Sequence, residues 1–218
     1  WMIFYSIQII LLFNLVVFSG IKAQKLDDCY NIASKVEKEF KIPNKLLSSI
    51  SFTETGITKN GIYQPWPWSL NVNGKSIFFD SKKEMTDYLD KAIYENEQNI
   101  DIGCMQLNYR YHGRMFKNLK DMIDPEENIY YAGRFLKKLY LKYKSWNLAI
   151  SRYHSSNPIR MKVYLKRVHE HWKKNREGKY NQNLQEIKIL SQKEKSKVKS
   201  RTDLKIIYFK KILQEENS

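Results

Sequence analysis

Residues 42–56 read I-P-N-K-L-L-S-S-I-S-F-T-E-T-G, and the rest of the chain is organised around them. Pro43 suits the first position of a helix, where its fixed φ is already helical and its missing N–H is not needed. Leu46 and Ile50 recur at a spacing of four, with Leu47 beside them, and so define one apolar face. The next residue in that row is Glu54, just ahead of Gly56, which is placed to cap the helix. A carboxyl in line with an apolar stripe is disfavoured as an anion by burial and by the free carbonyls of the helix end. Both raise its pKa toward the range that a general acid needs near neutral pH. The same residues also fit a glutamate that points to solvent where the helix frays. The segment alone leaves both readings open.

The chain has 218 residues, 42% of them hydrophobic and 14% aromatic, with a formal net charge of +15. That length supports one domain with a proper core plus appendages. Residues 160–218 hold 17 Lys/Arg against 7 Asp/Glu and so carry +10 of that charge. Such a balance permits nucleic acid, an anionic lipid surface or an acidic polymer as partner, and charge does not choose among them.

Residues 7–18 form an apolar run broken only by Gln8 and Asn14, followed by the small residues Ser19, Gly20 and Ala23. A membrane span needs about 20 residues, and this core is shorter. Residues 1–23 are therefore expected to be an export signal cleaved near Ala23, with an uncleaved N-terminal anchor as the alternative. No Lys or Arg precedes the run, a defect both readings share. Export bears on the two cysteines, Cys29 and Cys104, because an even pair outside the cytoplasm tends to be bridged. Such a bridge closes a long loop and constrains the unfolded chain by roughly 4 kcal/mol. Two buried free thiols are the bland alternative.

Residues 24–172 read as a helical body. Asp28 is placed to cap a first helix with Ile32, Val36 and Phe40 on one face. Asn73-Gly74 between residues 69–72 and 76–79 predicts a hairpin with a type I′ turn. Trp66 and Trp68 stand just before it between prolines, fitted either to stack on sugar rings or, more in keeping with their size, to pack on the core. Ser81 with Glu84, and Asp124 with Pro125 and Glu127, open two further helices as capping boxes. Ser145 starts a short helix toward Tyr153, and Asn157-Pro158 opens another carrying Met161, Tyr164, Leu165, Val168 and Trp172. The expectation is a mainly α domain with one small β-hairpin, followed by a basic, partly helical tail at 173–218. No phosphate-binding glycine loop, H-E-x-x-H or G-x-S-x-G is present, and the histidines and cysteines make no zinc spacing.

Several stretches, in order, resemble the lytic transglycosylases of the goose-type lysozyme-like superfamily. The E-T-G at 54–56 is similar to their catalytic E-S-G, and the G-C-M-Q at 103–106 to their G-x-M-Q. N-I-Y-Y-A-G-R-F-L at 128–136 and A-I-S-R-Y-H-S at 149–155 resemble two further family segments, the second carrying the active-site tyrosine. P-W-P-W-S-L-N-V-N-G-K and I-D-I-G-C-M-Q-L-N-Y-R-Y-H are close to one exported bacterial branch. The likeness spans residues 29 to 172 and implies an α+β lysozyme-like fold.

What the resemblance implies is cleavage of peptidoglycan between N-acetylmuramic acid and N-acetylglucosamine without added water, leaving a 1,6-anhydro end. Glu54 would act as acid and then as base, and Tyr153 would hydrogen-bond Glu54 or the sugar. Met105 and Gln106 would line the cleft, Ser69 would supply a hydroxyl, and Asn108 is a lesser candidate for the wall. No cofactor or metal is implied. Ordinary glycosidases use two carboxylates, and none of Asp80, Asp87, Asp90 and Asp101 sits in a motif that would pair it with Glu54. A nucleophile supplied by the substrate removes that need. For Asp101 the expected role is structural, at the 103–106 turn, and His112 and His154 are read as structural too. Thr55 stands where the family has Ser, and Phe135 where it often has Tyr.

The tail turns to Lys, Gln, Asn and Glu after Trp172, with Leu204, Ile207 and Ile212 permitting a short amphipathic helix. Electrostatic capture by an anionic envelope surface, or by a secretion or envelope assembly partner, is one reading. A coding bias that fills solvated positions with lysine is the other. The expected location is periplasmic or envelope-associated, with membrane contact only if the N-terminal segment stays uncleaved; export argues against a nucleic-acid partner. The alternatives to the transglycosylase are a hydrolytic lysozyme on the same scaffold and a catalytically idle glycan-binding or assembly protein.

Overall fold

The computed structural model describes residues 29–59 and 61–180, together with 192, 193, 196 and 197. Helix α1 (Cys29–Glu39) precedes α2 (Leu46–Thr55), which runs directly into strands β1 (Gly56–Lys59) and β2 (Ile62–Pro65). Strands β3 (Ser69–Val72) and β4 (Lys75–Phe78), helix α3 (Lys82–Tyr94), and strands β5 (Ile100–Ile102) and β6 (Leu107–Asn108) follow. The remainder is helical: α4 (Tyr109–His112), a 3-10 turn at Gly113–Met115, α5 (Leu119–Ile123), α6 (Pro125–Tyr143), α7 (Trp146–His154) and α8 (Pro158–Arg176). The fold is mainly α, as expected.

Helix α2 is the centre of the packing, with α1 and α8 against it, α6 against α1 and α7, and α7 returning to α8. Every residue of α2 except Glu54 is buried. A helix so rich in Ser and Thr can be buried only if its hydroxyls find partners. Thr53 donates to the Ser49 carbonyl (2.8 Å) and Thr55 to that of Ser51 (3.2 Å), back-bonds within the helix. Ser51 and Thr55 also reach out to the Cys104 carbonyl, at 3.0 and 3.3 Å.

The start of α2 departs from expectation. Pro43 is not its first residue; Lys45 takes a left-handed φ of 66° and the helix begins at Leu46. The N–H groups free of helix partners are capped from a distance, since the buried Glu37 of α1 accepts from the N–H of Lys45 and of Ser48, both at 2.8 Å. At the far end Gly56 is extended rather than left-handed. Glycine is needed there for closeness, because a Cβ would lie 2.3 Å from the Tyr63 hydroxyl and 2.5 Å from the Phe52 carbonyl.

The expected hairpin forms, with β3 paired to β4 in the register Val72↔Lys75. Asn73 and Gly74 take φ values of 52° and 87°, the type I′ signature. The expectation of a single hairpin is corrected twice. Strands β1 and β2 make a second one, in the register Lys59↔Ile62. The first belongs to a four-stranded antiparallel sheet of order β4-β3-β5-β6. Strands of two to four residues are too short to show an alternation in the sequence. Trp66 is buried and donates its indole N–H to the Phe79 carbonyl (2.7 Å), and Trp68 packs on the core.

Both N-caps form, Ser81 accepting from the Glu84 N–H and Asp124 from those of Glu126 and Glu127, while Glu84 accepts from the Asp80 N–H rather than from that of Ser81 as a capping box would have it. Helix α6 brings in the fully buried Asn128, which donates to the carbonyls of Ile102 and Met122, each at 3.0 Å. Its own carbonyl oxygen accepts from the Met105 N–H at 3.1 Å. Cys29 and Cys104 form a disulfide that ties the start of α1 to the same turn. Packing continues beyond residue 172: Asn175 bonds Ser48 and Ser49, and Tyr180 stacks on Phe52 with centroids 4.0 Å apart.

Among the described residues no helix is long and apolar enough to cross a membrane. Residues 1–23, the cap at Asp28, and Leu204, Ile207 and Ile212 of the tail lie outside the described residues.

Candidate active site

Glu54 stands on the last turn of α2 and opens into a cleft of about 840 Å³. One side is contributed by the sheet through Asn71, Asp101 and Asn108, the other by helices through Phe135, Tyr153 and Arg167. The Tyr164 hydroxyl donates to Glu54 Oε1 at 2.5 Å. Burial pushes the Glu54 carboxyl up to about 7, and the charge of Asp101 adds to this. The Tyr164 hydrogen bond and the Arg167 charge pull the other way without cancelling it. At neutral pH such a group is populated in both forms, the condition for one residue to give and to take a proton.

Tyr164 comes from the buried face of α8, where its ring stacks on His154 with centroids 4.4 Å apart and planes at 5°. Burial, and then the negative charge of Glu54, hold its phenol well above the ordinary range, so it remains a donor. The resemblance implies for Tyr153 the task of bonding Glu54 or the sugar. The Tyr153 hydroxyl instead donates to the Met105 carbonyl at 2.8 Å, while its ring lines the cleft against Phe135. Glu54 still contributes to raising the Tyr153 pKa, after burial, so the two groups are close.

Gln106 lines the cleft with a left-handed φ of 44° in the turn that Asn128 grips. Its Nε2 donates to the carbonyl of Gly103 (3.1 Å) and to the carbonyl and hydroxyl of Ser69 (both 3.4 Å). Two carbonyl acceptors fix that atom as the nitrogen and leave Oε1 as the group it can offer. Met105, expected in the cleft wall, is instead fully buried in the core. Ser69 is buried as well and supports Gln106, its hydroxyl donating to the Trp66 carbonyl at 3.0 Å.

Asn108 is in the wall as expected, opposite Asp101 in the β5–β6 register. It donates to the Asp101 carboxylate at 2.8 Å and to Asn99 at 3.1 Å. Asp101 therefore does not tie down the 103–106 turn; it lines the cleft, its carboxyl raised by burial against the pull of Asn108. His112 is raised by no charge: burial lowers it, and it bonds the Tyr131 hydroxyl at 2.9 Å. His154 is likewise held toward its neutral form, by burial and then by Arg167 and Arg160. Thr55 and Phe135, the two departures, are both in use, the first tying α2 to the Cys104 carbonyl and the second lining the cleft. Among the described residues no group of three or more His, Cys, Asp or Glu could hold a metal ion.

Three residues of consequence escaped the sequence reading. Tyr164 sat on an apolar stripe, where a hydroxyl gives no sign of its partner. Asn128 was visible only as a motif letter, and Arg167 only as charge. The Arg167 Nη2 donates to the Thr53 carbonyl at 3.1 Å, next to Glu54.

The family model of the transglycosylase SLT domain matches residues 32–175, which include every cleft residue named above. No curated protein and no solved structure gives a significant match.

Proposed function

We propose that this chain, a member of the transglycosylase SLT domain family, cleaves peptidoglycan strands between N-acetylmuramic acid and N-acetylglucosamine by intramolecular transglycosylation. The observation that carries this reading is the desolvated carboxyl of Glu54, raised to about 7 and held by Tyr164 at 2.5 Å in an open cleft. With Tyr164 on Oε1, the carboxyl proton belongs on Oε2. That proton passes to the glycosidic oxygen as its bond to the muramoyl anomeric carbon breaks, and N-acetylglucosamine leaves with a new hydroxyl. The carboxylate then takes the proton of the muramoyl 6-hydroxyl as that oxygen bonds the anomeric carbon. The product carries a 1,6-anhydro ring, Glu54 is protonated again, and no water is consumed.

The remaining residues support this course. Asp101 supplies negative charge beside a transition state with oxocarbenium character. Gln106 Oε1 and the unpartnered Asn108 Oδ1 are acceptors for N-acetyl N–H or hydroxyl groups. Tyr153 anchors the Gln106 turn through the Met105 carbonyl. Peptidoglycan lies outside the cytoplasmic membrane, so the reading carries export to the periplasm or envelope with it. The Cys29–Cys104 disulfide supports an oxidising compartment.

Hydrolysis on the same scaffold has one observation in its favour, the second carboxylate, Asp101, in the cleft with Glu54. Asp101 would then activate a water from the opposite side of the sugar. Digestion of purified sacculi followed by fragment mass analysis separates the two. Transglycosylation predicts anhydro ends; ends heavier by one water throughout would assign the enzyme to hydrolysis.

A further inference from the structure

The helical side of the cleft carries three guanidiniums, Arg152 of α7 and Arg160 and Arg167 of α8. Neutral sugars need no cations, and none of these three is in an ion pair, since every ion pair among the described residues involves a lysine; Arg167 alone acts on a carboxyl, that of Glu54. Arg167 uses one N–H on the Thr53 carbonyl. Arg152 lies over the Tyr143 ring at 5.7 Å, with its Nε buried and unpartnered. A buried N–H without an acceptor is costly unless a ligand supplies one. The fields of Arg160 and Arg167 reach the cleft, since both help to keep His154 neutral.

We propose that Arg152 and Arg160, together with Arg167, bind a carboxylate carried by the muramoyl residue, so that the enzyme selects acid-bearing strands over neutral ones with the same sugar backbone. The proposal rests on the cleft being a peptidoglycan site. A planar guanidinium fork matches a carboxylate with two parallel hydrogen bonds, which a hydroxyl cannot accept in that geometry. The carboxylate has two sources. On strands stripped of peptide it is the free lactyl acid. On peptide-bearing strands the lactyl group is an amide, and the acid belongs to the stem peptide.

The test uses the protein carrying Glu54→Gln, so that ligands bind without turning over. Calorimetry measures a muramoyl disaccharide with a free lactyl acid, the same disaccharide with a short stem peptide, and each with its carboxylates converted to amides. The acid forms are expected to bind at least about tenfold more tightly than their amides, as charge-assisted hydrogen bonds require. Adding Arg152→Gln and Arg160→Gln should cut that preference severalfold, leaving only what Arg167 sustains, with amide binding in place. Arg160→Gln alone, at an exposed position, reports the same effect should the double variant not fold. A preference confined to the first ligand identifies the lactyl acid, and one confined to the second the stem peptide. Equal affinity for acid and amide, a preference undiminished by both substitutions, or no binding of any ligand would overturn the proposal. Product analysis of the wild type stands apart: hydrolysed ends would sink the transglycosylase reading and leave a measured acid preference standing.

Discussion

Replacing Tyr164 by Phe removes the hydroxyl that donates to Glu54 at 2.5 Å and little else, since the ring is buried and stacked on His154. A hydrogen bond to a charged acceptor is worth roughly 1.5–3 kcal/mol and one between neutral groups roughly 0.5–1.5, so the donor favours the carboxylate over the acid by about 1–1.5 kcal/mol. At 1.36 kcal/mol for each tenfold change in the acid equilibrium, that is about one pH unit. The bond works against the burial that has already raised Glu54 to about 7. Without it the carboxyl keeps its proton to higher pH. Activity that needs Glu54 protonated in the free enzyme falls off on the alkaline side of the kcat/KM profile. In Tyr164→Phe that limb should therefore move up by about one pH unit, with a lower rate at the optimum because the carboxylate is less well oriented. The assay is release of soluble fragments from labelled sacculi across the pH range. An alkaline limb that stays put or moves down would refute the reasoning, because the hydroxyl would not then be stabilising the carboxylate.

Glu54 also links stability to pH. Its folded carboxyl is raised from an ordinary 4.5 to about 7, so its contribution to stability is full below 4.5 and is lost as pH rises through 7. Glu54→Gln carries no charge at any pH and should gain on wild type by roughly 2–3 kcal/mol between about pH 4.5 and pH 8; urea unfolding with the same gap at both pH values would contradict this. Asn128→Ala strands the carbonyls of Ile102 and Met122 and the Met105 N–H. The loss expected is about 3 kcal/mol or more, with reduced activity because the Gln106 turn loosens; unfolding and sacculus assays on one preparation check both. Removing the Cys29–Cys104 bridge by double serine substitution frees a loop of 75 residues and should cost roughly 4 kcal/mol in denaturant unfolding. Native protein with two alkylatable thiols would contradict that bridge.

How much of this could be read from the chain differs residue by residue. Glu54 was legible because it interrupts an apolar row at helical spacing, and the Asn73-Gly74 turn because two positive φ angles demand those residue types. The capping residues Ser81 and Asp124 were legible for the same local reason. Tyr164 was not: its row with Leu165 and Val168 marks burial, and only the fold shows that a carboxyl lies across from its hydroxyl. Pro43 misled because local propensity argued for a helix start, whereas a distant carboxylate, Glu37, holds the N–H groups that set it. Met105 and Gln106 are adjacent, yet one enters the core and the other the cleft, a division set by the left-handed backbone of Gln106. Strands β5 and β6 exist through pairing alone, and pairing partners are not local information.

The account turns on one carboxyl acting as both acid and base, and Glu54→Gln digestion of sacculi tests it most directly. The variant keeps a group able to accept the Tyr164 hydroxyl and should fold at least as stably as wild type. It should release soluble glycan fragments at least about 100-fold more slowly. A folded Glu54→Gln protein that releases fragments at the wild-type rate would contradict the assignment of Glu54.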